Sequence, residues 1–471
     1  MTQKAFSIHA HFYQPPREDP LTGEIPLEPG SVPYKNWNER IHDQCYRPNA
    51  LLGNFERISF NIGPTLMNWM AGYDARTMEK IIEQDRWNLE RHGVGNAIAQ
   101  AYNHTILPLA SHEDKITQVR WGIVDFQHRF GHFPSGMWLP EAAVDQETLQ
   151  ILAENGIRFT ILAPWQADTG TTLDTSTPYT VSLANHQSIA VFFYDQDLST
   201  RISFDPAATS NADTFIDQYL MPKYQNNGNG APELVLMASD GELYGHHQPF
   251  RDKFLSYLLG GAMDQHPIEM TYPALWLEKY PPTRSIEIRP DTSWSCHHGV
   301  TRWMGACGCT PQGEWKAPLR QALSEIGELV DEQYLLGTRP YIEDPWELRH
   351  EYIHVVLGEI KAGELIHAQA NQKLDAEITQ SIEILLLAQY ERQRMFTSCG
   401  WFFDDFDRIE PRNNVSYTAQ AVWLTYQATG ADLSAKATGL LRNVKSWRTG
   451  NRADTVFTHY LQRAWVNRPN G

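Results

Sequence analysis

The sequence predicts an α/β protein in which a parallel barrel of strands and helices is followed by a helical domain. Two patterns support this prediction. Over roughly the first 290 residues, short apolar runs alternate with amphipathic segments, as in consecutive βα units. From Trp315 onward almost every segment has a helical pattern instead. We therefore predict a barrel domain at residues 1–290 and an α-helical domain at residues 291–471.

The predicted strands are short apolar runs that end in polar residues, and the predicted helices carry capping signals. One helix ends at Gly93, one begins after Ser111, and one lies between Asp145 and Gly156. The runs predicted as strands include AFSIHAHFY, RISFNI, AIAQAY, GMWLP, FTILAP, SIAVFFYD and ELVLMASD. Polar side chains collect where these strands stop. In an α/β barrel that edge carries the functional site.

The composition favours an uncharged substrate. The chain has 471 residues, with 39 Lys and Arg against 56 Asp and Glu, and a formal net charge of −17. Because this charge repels polyanions, we predict neither a nucleic-acid partner nor a membrane partner. The 15 Trp, 20 Tyr and 19 Phe favour a carbohydrate ligand, since apolar sugar faces stack on aromatic rings. Most of these rings are also explained as core residues of a large protein.

The N-terminal segment and the cysteine content predict a cytoplasmic protein. The segment MTQKAFSIHAHFY does not have the apolar stretch and cleavage site of a signal peptide. No stretch reaches membrane-spanning length without charges or proline. Five cysteines form an odd set, which favours a reducing compartment over a disulfide framework. The oligomeric state is not predicted.

Two carboxylates are the leading candidates for chemistry. Glu141 follows the strand GMWLP, and Asp240 follows the strand ELVLMAS. A carboxylate at the end of a buried strand is held rigidly, and two of them on facing strands can flank a glycosidic bond. Each could instead cap the following turn or helix. The dense His, Trp and Gly clusters around both favour the catalytic interpretation.

Histidines at two of the same strand ends allow two interpretations. His9 and His11 are two residues apart on one strand, so both point the same way. His246 and His247 follow a strand later in the chain. These side chains could hydrogen-bond substrate hydroxyls. Together with Asp240 they could also bind a divalent metal, as in metal-dependent hydrolases or polysaccharide deacetylases.

A segment rich in cysteine and histidine, DTSWSCHHGVTRWMGACGC, follows the predicted barrel. Its density of Cys296, His297, His298, Cys307 and Cys309 would suit zinc. The spacing is not that of a standard zinc finger, because C-x-C replaces C-x-x-C, and a structural cysteine pocket explains it at least as well. We assign no metal ligand and no cofactor from the sequence.

Five segments of the chain together resemble glycoside hydrolase family 57. They are HFYQPP from His11, AYNHTILPL around His104, WLPE ending at Glu141, SDGELYGHH around Asp240, and TSCGW ending at Trp401. The resemblance spans most of the chain, and WLPE together with SDGELYGHH is its most specific part.

The sequence departs from the family pattern in two places. The second region usually carries a Glu where this chain has Ala97–Gln100, and the fifth has Cys399–Gly400 where an Asp is common. These departures concern the substrate pocket more than the carboxylate pair.

The resemblance implies an incomplete (β/α)7 barrel followed by a C-terminal α-helical domain that completes the active-site cleft. It also implies metal-independent retaining chemistry on α-glucans, with Glu141 as the nucleophile and Asp240 as the acid/base. The resulting prediction is a glycoside hydrolase or glucanotransferase that acts on an oligo- or polysaccharide. The alternatives are the metal-dependent hydrolase above and a non-catalytic glucan-binding relative.

Seven further residues are predicted to contact the substrate. Polar contacts are assigned to His11, Gln14, His104, His246 and His247. Stacking on sugar rings is assigned to Trp138 and Trp401.

Overall fold

The computed structural model of the protein describes residues 3–224 and 231–466. The chain divides into two compact units. Unit 1 comprises Met1–Gln14, Leu27–Tyr102 and Phe126–Trp294, and unit 2 comprises Pro15–Pro26, Asn103–Asp125 and Ser295–Gly471. Two segments of the predicted barrel domain, 15–26 and 103–125, thus belong to the second unit.

Unit 1 contains the eleven strands found within residues 3–224 and 231–466. They are β1 (Lys4–Phe12), β2 (Ser59–Ile62), β3 (Ala99–Gln100), β4 (Met137–Trp138), β5 (Phe159–Leu162), β6 (Ala167–Asp168), β7 (Tyr179–Ser182), β8 (Ser188–Phe193), β9 (Glu233–Asp240), β10 (Glu269–Met270) and β11 (Glu287–Ile288).

Twenty α-helices lie in the same described ranges. The first eleven are α1 (Trp37–Ile41), α2 (Arg47–Leu51), α3 (Asn54–Arg57), α4 (Pro64–Tyr73), α5 (Ala75–His92), α6 (His112–Phe130), α7 (Gln146–Glu154), α8 (Gln196–Phe204), α9 (Ala212–Phe215), α10 (Arg251–Tyr257) and α11 (Pro273–Lys279). The others are α12 (Lys316–Thr338), α13 (Pro345–Glu351), α14 (Ile353–Val356), α15 (Ala362–Gln369), α16 (Ala376–Arg394), α17 (Cys399–Phe402), α18 (Ile409–Thr429), α19 (Ser434–Leu441) and α20 (Ala453–Val466). The predicted α/β region and the helical C-terminal region are confirmed.

Parallel pairing dominates the strands of unit 1. Strand β1 pairs in parallel with β9, β2 and β10, and parallel pairs also form between β3 and β4 and between β5 and β8. Single parallel bridges join Phe60 to Ala97 and Gly136 to Phe159, which link β2 to the β3 region and β4 to the β5 region. After β8, the backbone N–H of Asp195 donates to the carbonyl of Leu236 in β9 at 2.7 Å. Two short antiparallel pairs, β7 with β8 and β6 with β11, are added to this arrangement.

Strand β1 places its apolar and polar side chains on opposite faces. Phe6, Ile8, Ala10 and Phe12 alternate with Ser7, His9 and His11, and every one of these residues is buried. Successive residues of a strand face opposite sides, so the polar set shares one face. The register pairs His11 with Asp240. The polar face of β1 and the end of β9 therefore meet at one edge.

Two predicted helix caps of unit 1 are present in the structure. The predicted Gly93 follows α5 with a φ of 75°. At the start of the same helix, the side chain of Asp74, which was not predicted as a cap, accepts a hydrogen bond from the backbone N–H of Thr77. The Asp145 side chain accepts from the N–H of Thr148 at 2.7 Å at the start of α7. Such caps satisfy backbone groups that a helix end leaves without partners. Both predictions are confirmed.

Unit 2 is held by long helices around a buried ionic network. Helix α16 packs on α18, which in turn packs on α20. The carboxylate of Asp114 accepts from Arg392 at 2.6 Å and from Gln393 at 2.7 Å, and it lies 3.2 Å from the Arg349 guanidinium. Burial alone would raise the pKa of Asp114, but the two guanidinium groups lower it to about 2. Asp114 is thus ionised inside the unit.

None of the described helices has both the length and the apolar character that crossing a membrane requires.

Candidate active site

The two predicted catalytic carboxylates lie at strand ends of unit 1. Asp240 is the last residue of β9, and Glu141 lies in the short 3-10 turn Pro140–Ala142 just after β4. The negative charge of Glu141 is among the causes that raise the pKa of Asp240. The structure therefore brings the two carboxyl groups close enough for their charges to interact.

Glu141 is held in an unusual backbone conformation. Its φ of 58° and ψ of 22° are left-handed, and Ala142 also has a positive φ of 47°. A non-glycine residue in this region costs about 1–3 kcal/mol, and such positions cluster at active sites. The indole Nε1 of Trp294 donates to Glu141 Oε2 at 3.1 Å, and the Trp294 backbone N–H donates to the Glu141 carbonyl at 2.9 Å. Backbone and carboxylate are both fixed by one residue.

Asp240 has the electrostatic character of a general acid. It is open to solvent at the end of β9, yet protein surrounds it on its other sides. Burial, followed by the charges of Glu242 and Glu141, raises its pKa from 3.8 to about 8. A carboxyl with that pKa is mostly protonated at neutral pH. Asp240 can therefore donate a proton that an ordinary aspartate would already have lost.

Glu242 is a third carboxyl group of the site that the sequence did not predict. It is buried, and its Oε1 accepts from the Tyr46 hydroxyl at 2.7 Å and from the Tyr13 backbone N–H at 3.2 Å. Burial raises its pKa to about 7, against hydrogen bonds from Tyr46, Tyr13 and Gln14. Gln14, predicted to bind substrate, thus contacts this carboxyl. The sequence Asp240-Gly241-Glu242 at the end of β9 was the signal that could have indicated this third carboxyl group.

His9 and His11 form one hydrogen-bonded group with Asn61. The Asn61 side chain lies 3.2 Å from His9 Nε2 and 2.9 Å from His11 Nδ1, and His9 Nδ1 also contacts Ser59 at 2.9 Å. Burial lowers the pKa of both histidines to about 3, so both are neutral at physiological pH. The prediction that they point the same way is confirmed.

Gln100 is the polar residue of the stretch Ala97–Gln100, in which the family pattern is expected to carry a glutamate. It is the last residue of β3, and its Oε1 accepts from Asn61 Nδ2 at 2.7 Å. Through Asn61 it joins the network of His9 and His11. The stretch in which this sequence departs from the second region of the family pattern therefore contacts the hydrogen-bonded group of His9, His11 and Asn61.

Trp138 lies beneath the two histidines and has no exposed surface. Its ring stacks on His9 and His11 with centroids 4.9 and 5.1 Å apart, and it meets Trp294 edge-on at 4.9 Å. The whole residue is 0% exposed. No face of the ring is open, so the geometry does not support the predicted stacking of Trp138 on a sugar. Instead the ring supports the histidines and the residue that holds Glu141.

His246 and His247 lie in the loop after Asp240. His246 Nδ1 contacts Gln44 Oε1 at 2.7 Å, while His247 is exposed. Surrounding protein removes much of the water around both rings, including the ring of the surface residue His247, and this desolvation is the main cause that lowers the pKa of both, that of His246 to about 4. The preceding Gly245 has a φ of 137°, and a Cβ there would lie 2.2 Å from a backbone oxygen. Only glycine fits this turn, and the turn sets where the two rings point.

The remaining two predicted residues, His104 and Trp401, lie in unit 2. His104 Nδ1 contacts the Ser398 hydroxyl at 2.6 Å, and the Ser398 backbone N–H donates to the His104 carbonyl at 3.1 Å. The second and fifth regions of the family pattern are thus joined directly. Trp401 is 0% exposed, and the Arg320 guanidinium lies 3.8 Å above its ring. Like Trp138, it presents no open face to a sugar.

The ligand set of the metal-dependent alternative is not gathered into one cluster. Among the residues that the structure describes, one group of three or more His, Cys, Asp or Glu has the spacing of metal ligands. His9, His11 and Asp240 are not part of it. The two histidines instead share Asn61.

Comparisons with known proteins point to one family. The model of glycosyl hydrolase family 57 matches residues 32–289, and the model of a domain of unknown function, DUF3536, matches residues 312–469. Alpha-amylase 1 of Dictyoglomus thermophilum is 23% identical over 215 residues, which are 44% of this chain. The match spans 29% of the length of that amylase.

Two solved structures share the fold over nearly the whole chain. The exo-type maltose-forming amylase of Pyrococcus sp. ST04 superimposes with a TM-score of 0.76 at 16% identity, covering 97% of this chain and 88% of its own. The family 57-type branching enzyme of Pyrococcus horikoshii gives a TM-score of 0.60 at 16% identity, with coverage of 98% and 95%. At such identities the likeness concerns the fold alone. The family model, however, matches more than half of the sequence, and on that ground the chain belongs to glycosyl hydrolase family 57.

Proposed function

We propose that the protein is a retaining glycoside hydrolase or glucanotransferase acting on α-glucans, with Glu141 as the nucleophile and Asp240 as the acid/base. One observation carries the proposal: a carboxyl whose pKa is raised to about 8 interacts with a second, rigidly held carboxyl. Glycoside cleavage uses two carboxyl groups, one that is protonated and acts as the acid and one that is ionised and acts as the nucleophile. The amylases and the branching enzyme that resemble this chain support an α-glucan as substrate.

In the first step Glu141 attacks the anomeric carbon. Asp240 gives its proton to the glycosidic oxygen as that bond breaks, and the leaving sugar departs as an alcohol. The Trp294 indole, at 3.1 Å from Glu141 Oε2, holds the attacking carboxylate in place. The result is a covalent glycosyl–enzyme ester on Glu141 and an ionised Asp240.

The second step uses the same two groups with their roles reversed. Once Glu141 is esterified its negative charge is gone, and one cause of the raised pKa of Asp240 goes with it. Asp240 is then better able to remain ionised and to take a proton from water or from an acceptor hydroxyl. That oxygen attacks the anomeric carbon and releases Glu141. Water gives hydrolysis, and a sugar hydroxyl gives transfer.

The site also needs groups that bind hydroxyls without adding charge. His11 is neutral, and His246 and His247 lie in the loop that follows Asp240. We assign hydroxyl contacts to these three residues. Trp138 instead supports the histidines from below.

We further propose that the parallel strands of unit 1 form the incomplete (β/α)7 barrel typical of the family. Seven strands, β1, β2, β3, β4, β5, β8 and β9, succeed one another through the parallel pairs and bridges, and the Asp195–Leu236 hydrogen bond links the β8 end to β9. In a barrel of parallel strands the catalytic groups lie at the strand ends. Glu141 and Asp240 follow this rule.

The decisive experiment compares Glu141→Gln and Asp240→Asn on two donors. With maltoheptaose, both variants are expected to lose more than about 99% of the activity, read as chain-length redistribution and new reducing ends. With α-maltosyl fluoride, whose leaving group needs little protonation, Asp240→Asn is expected to keep its first step. Glu141→Gln is expected to lose turnover of this donor as well, whereas the shorter Glu141→Ala, which leaves room for an anion, is expected to regain turnover only with added azide, giving the glycosyl azide of inverted configuration.

Glu147→Gln is the matched control, since Glu147 is an exposed glutamate on the neighbouring helix α7. It should retain normal activity on both donors. Near-normal turnover of maltoheptaose by either catalytic variant would refute the assignment of that residue. A wild-type chain that binds maltoheptaose but yields no product with any acceptor would establish the non-catalytic alternative.

A further inference from the structure

A cluster of three cysteines and one histidine in unit 2 takes no part in the proposed chemistry. It consists of Cys296, His298, Cys307 and Cys309, and it lies between the two segments that the family models match. We propose that these four residues bind a structural zinc ion. The adjacent His297 is outside the cluster. No metal was assigned from the sequence because the spacing alone did not distinguish a zinc site from a cysteine pocket.

The distances within the cluster fit tetrahedral zinc. One possible ligand atom from each of the four residues lies within 4.8 Å of all the others. Cys296 Sγ is 3.9 Å from Cys307 Sγ, and Cys309 Sγ is 3.4 Å from His298 Nδ1. With Zn–S bonds of about 2.3 Å and Zn–N bonds of about 2.1 Å, a tetrahedral site separates its ligand atoms by about 3.5–3.8 Å. Thiolates and imidazole are also the ligands that zinc prefers.

Two tight turns present the four side chains in pairs. The backbone N–H of Gly299 donates to the Cys296 carbonyl at 3.2 Å, and that of Thr310 donates to the Cys307 carbonyl at 3.1 Å. Each turn therefore carries two of the ligands, one at its first residue and one two residues later. A Cβ on Gly308 would lie 3.4 Å from the His298 ring. The backbone between the two cysteines thus lies within contact distance of the His298 ring.

A disulfide does not explain this arrangement. All three cysteines are free thiols. The separation of 3.9 Å between the Cys296 and Cys307 sulfurs is almost twice the S–S bond length of about 2.05 Å. Four closely spaced ligands also leave no position for a water molecule or substrate, so the site would be structural.

The charge near the cluster complements a metal-bound set of three thiolates. With Zn²⁺, three thiolates and a neutral imidazole carry a net charge of −1. Lys316 is 0% exposed, its ammonium group has no hydrogen-bond partner among the described residues, and it lies near enough to Cys296 and Cys307 to interact electrostatically. A buried unpaired ammonium is costly, and an anionic zinc site beside it would offset that cost.

The backbone around the cluster has little regular structure to hold it. Between Ser295 and Trp315 the structure contains one 3-10 turn, Thr301–Trp303, and the single bridge from Cys307 to Thr310. A long connection of this kind has few ladder hydrogen bonds, and a bound metal supplies cross-links instead. Bound zinc would therefore order the segment that precedes α12 in the chain.

The first test measures metal in the full-length wild-type chain. After dialysis against metal-free buffer, inductively coupled plasma mass spectrometry should find about one zinc ion per chain. Replacement of zinc by Co²⁺ should give the visible bands of a tetrahedral thiolate site. Wild-type protein that binds neither ion would overturn the proposal, and so would a Cys296–Cys307 disulfide found by peptide mapping.

The second test uses the neighbouring histidines as a matched pair. His298→Ala should weaken zinc binding at least about tenfold in competition with a chromophoric chelator, because even the loss of an outer-shell partner costs about 10–100-fold. His297→Ala should bind as tightly as the wild type. Equal affinity of all three proteins, or an equal loss in both variants, would refute the ligand role of His298. Cys399→Ser, which changes a thiol outside the cluster, should keep its zinc.

Discussion

Glu242→Gln tests the electrostatic origin of the proposed acid. Glu242 contributes the largest charge effect on the pKa of Asp240, second only to burial. Glutamine has nearly the same shape and keeps an oxygen that can accept from Tyr46 and Tyr13, as Oε1 of Glu242 does at 2.7 and 3.2 Å. The substitution therefore removes a negative charge while disturbing the packing little.

The expected shift follows from the pKa of Asp240. That pKa is raised from 3.8 to about 8, which is a shift of about four units, and burial accounts for the largest part. Neighbouring charges move a carboxyl pKa by about 1–3 units, and Glu242 is one of two such charges, so we expect a decrease of about one unit. At pH 8 the protonated fraction of Asp240 then falls from about one half to about one tenth. Catalysis that needs the proton should fall about fivefold at this pH.

The assay is the pH dependence of kcat/KM on maltoheptaose between about pH 5 and pH 9. This ratio reports the ionisation of groups in the free enzyme, and its basic limb should move down by about one unit in the variant. With α-maltosyl fluoride, whose leaving group needs little protonation, the decrease of kcat/KM on the basic side of the profile should be smaller. A basic limb that stays in place or moves upward would refute the reasoning. The exposed Glu147→Gln variant should have the wild-type profile.

Two other substitutions test the surroundings of the site and the core of unit 2. Trp294→Phe keeps an aromatic ring but removes the indole N–H that donates to Glu141 at 3.1 Å. Because a hydrogen bond to a charged group contributes about 1.5–3 kcal/mol, kcat on maltoheptaose should fall about 10- to 150-fold. A decrease of less than twofold would contradict the proposal that Trp294 holds Glu141 in place. Asp114→Asn removes the carboxylate that Arg392 and Arg349 share, and Arg392 keeps one carboxylate, that of Asp331, at 2.8 Å. The substitution should lower the free energy of urea unfolding by about 3–5 kcal/mol. A loss below about 1 kcal/mol would contradict a stabilising role of this ionic network. Because the folded pKa of Asp114, about 2, is below 3.8, its contribution is present above about pH 4 and is lost as the pH falls towards 2.

Local patterns in the sequence predicted much of the secondary structure and the positions of the carboxylates. The strand β1, the caps of α5 and α7, and the shared direction of His9 and His11 depend on residues near one another in the chain, and periodicity and capping rules describe them well. The placement of Asp240 at the end of a buried strand follows from the same rules.

Interactions between distant residues were not predictable in this way. Trp294 lies 153 residues from Glu141, and no local pattern indicates that its indole holds that carboxylate. The burial of Trp138 depends on rings from two distant segments, the two histidines of β1 and Trp294. Asp114 belongs to unit 2 through partners 278 residues away, which is why a single boundary near residue 290 did not describe the two units.

Glu242 was missed for a different reason. It is two residues from Asp240, so its position was visible, but a charged residue in a loop is ordinarily exposed. Glu242 is buried, which raises its pKa, and its hydrogen-bond partners Tyr46 and Gln14 lie far away in the sequence. The sequence showed where the carboxyl group is but not what surrounds it.

The left-handed turn at Glu141 and Ala142 limits how this protein can be stabilised without loss of the proposed activity. Each of the two residues holds a conformation that glycine would adopt at less cost, so glycine at position 142 is an obvious stabilising substitution. The same freedom would let the Glu141 carboxylate sample other directions. Heat-tolerant variants selected without regard to activity are therefore expected to accumulate changes at this turn first, and those that must also turn over substrate are expected to gain their stability elsewhere.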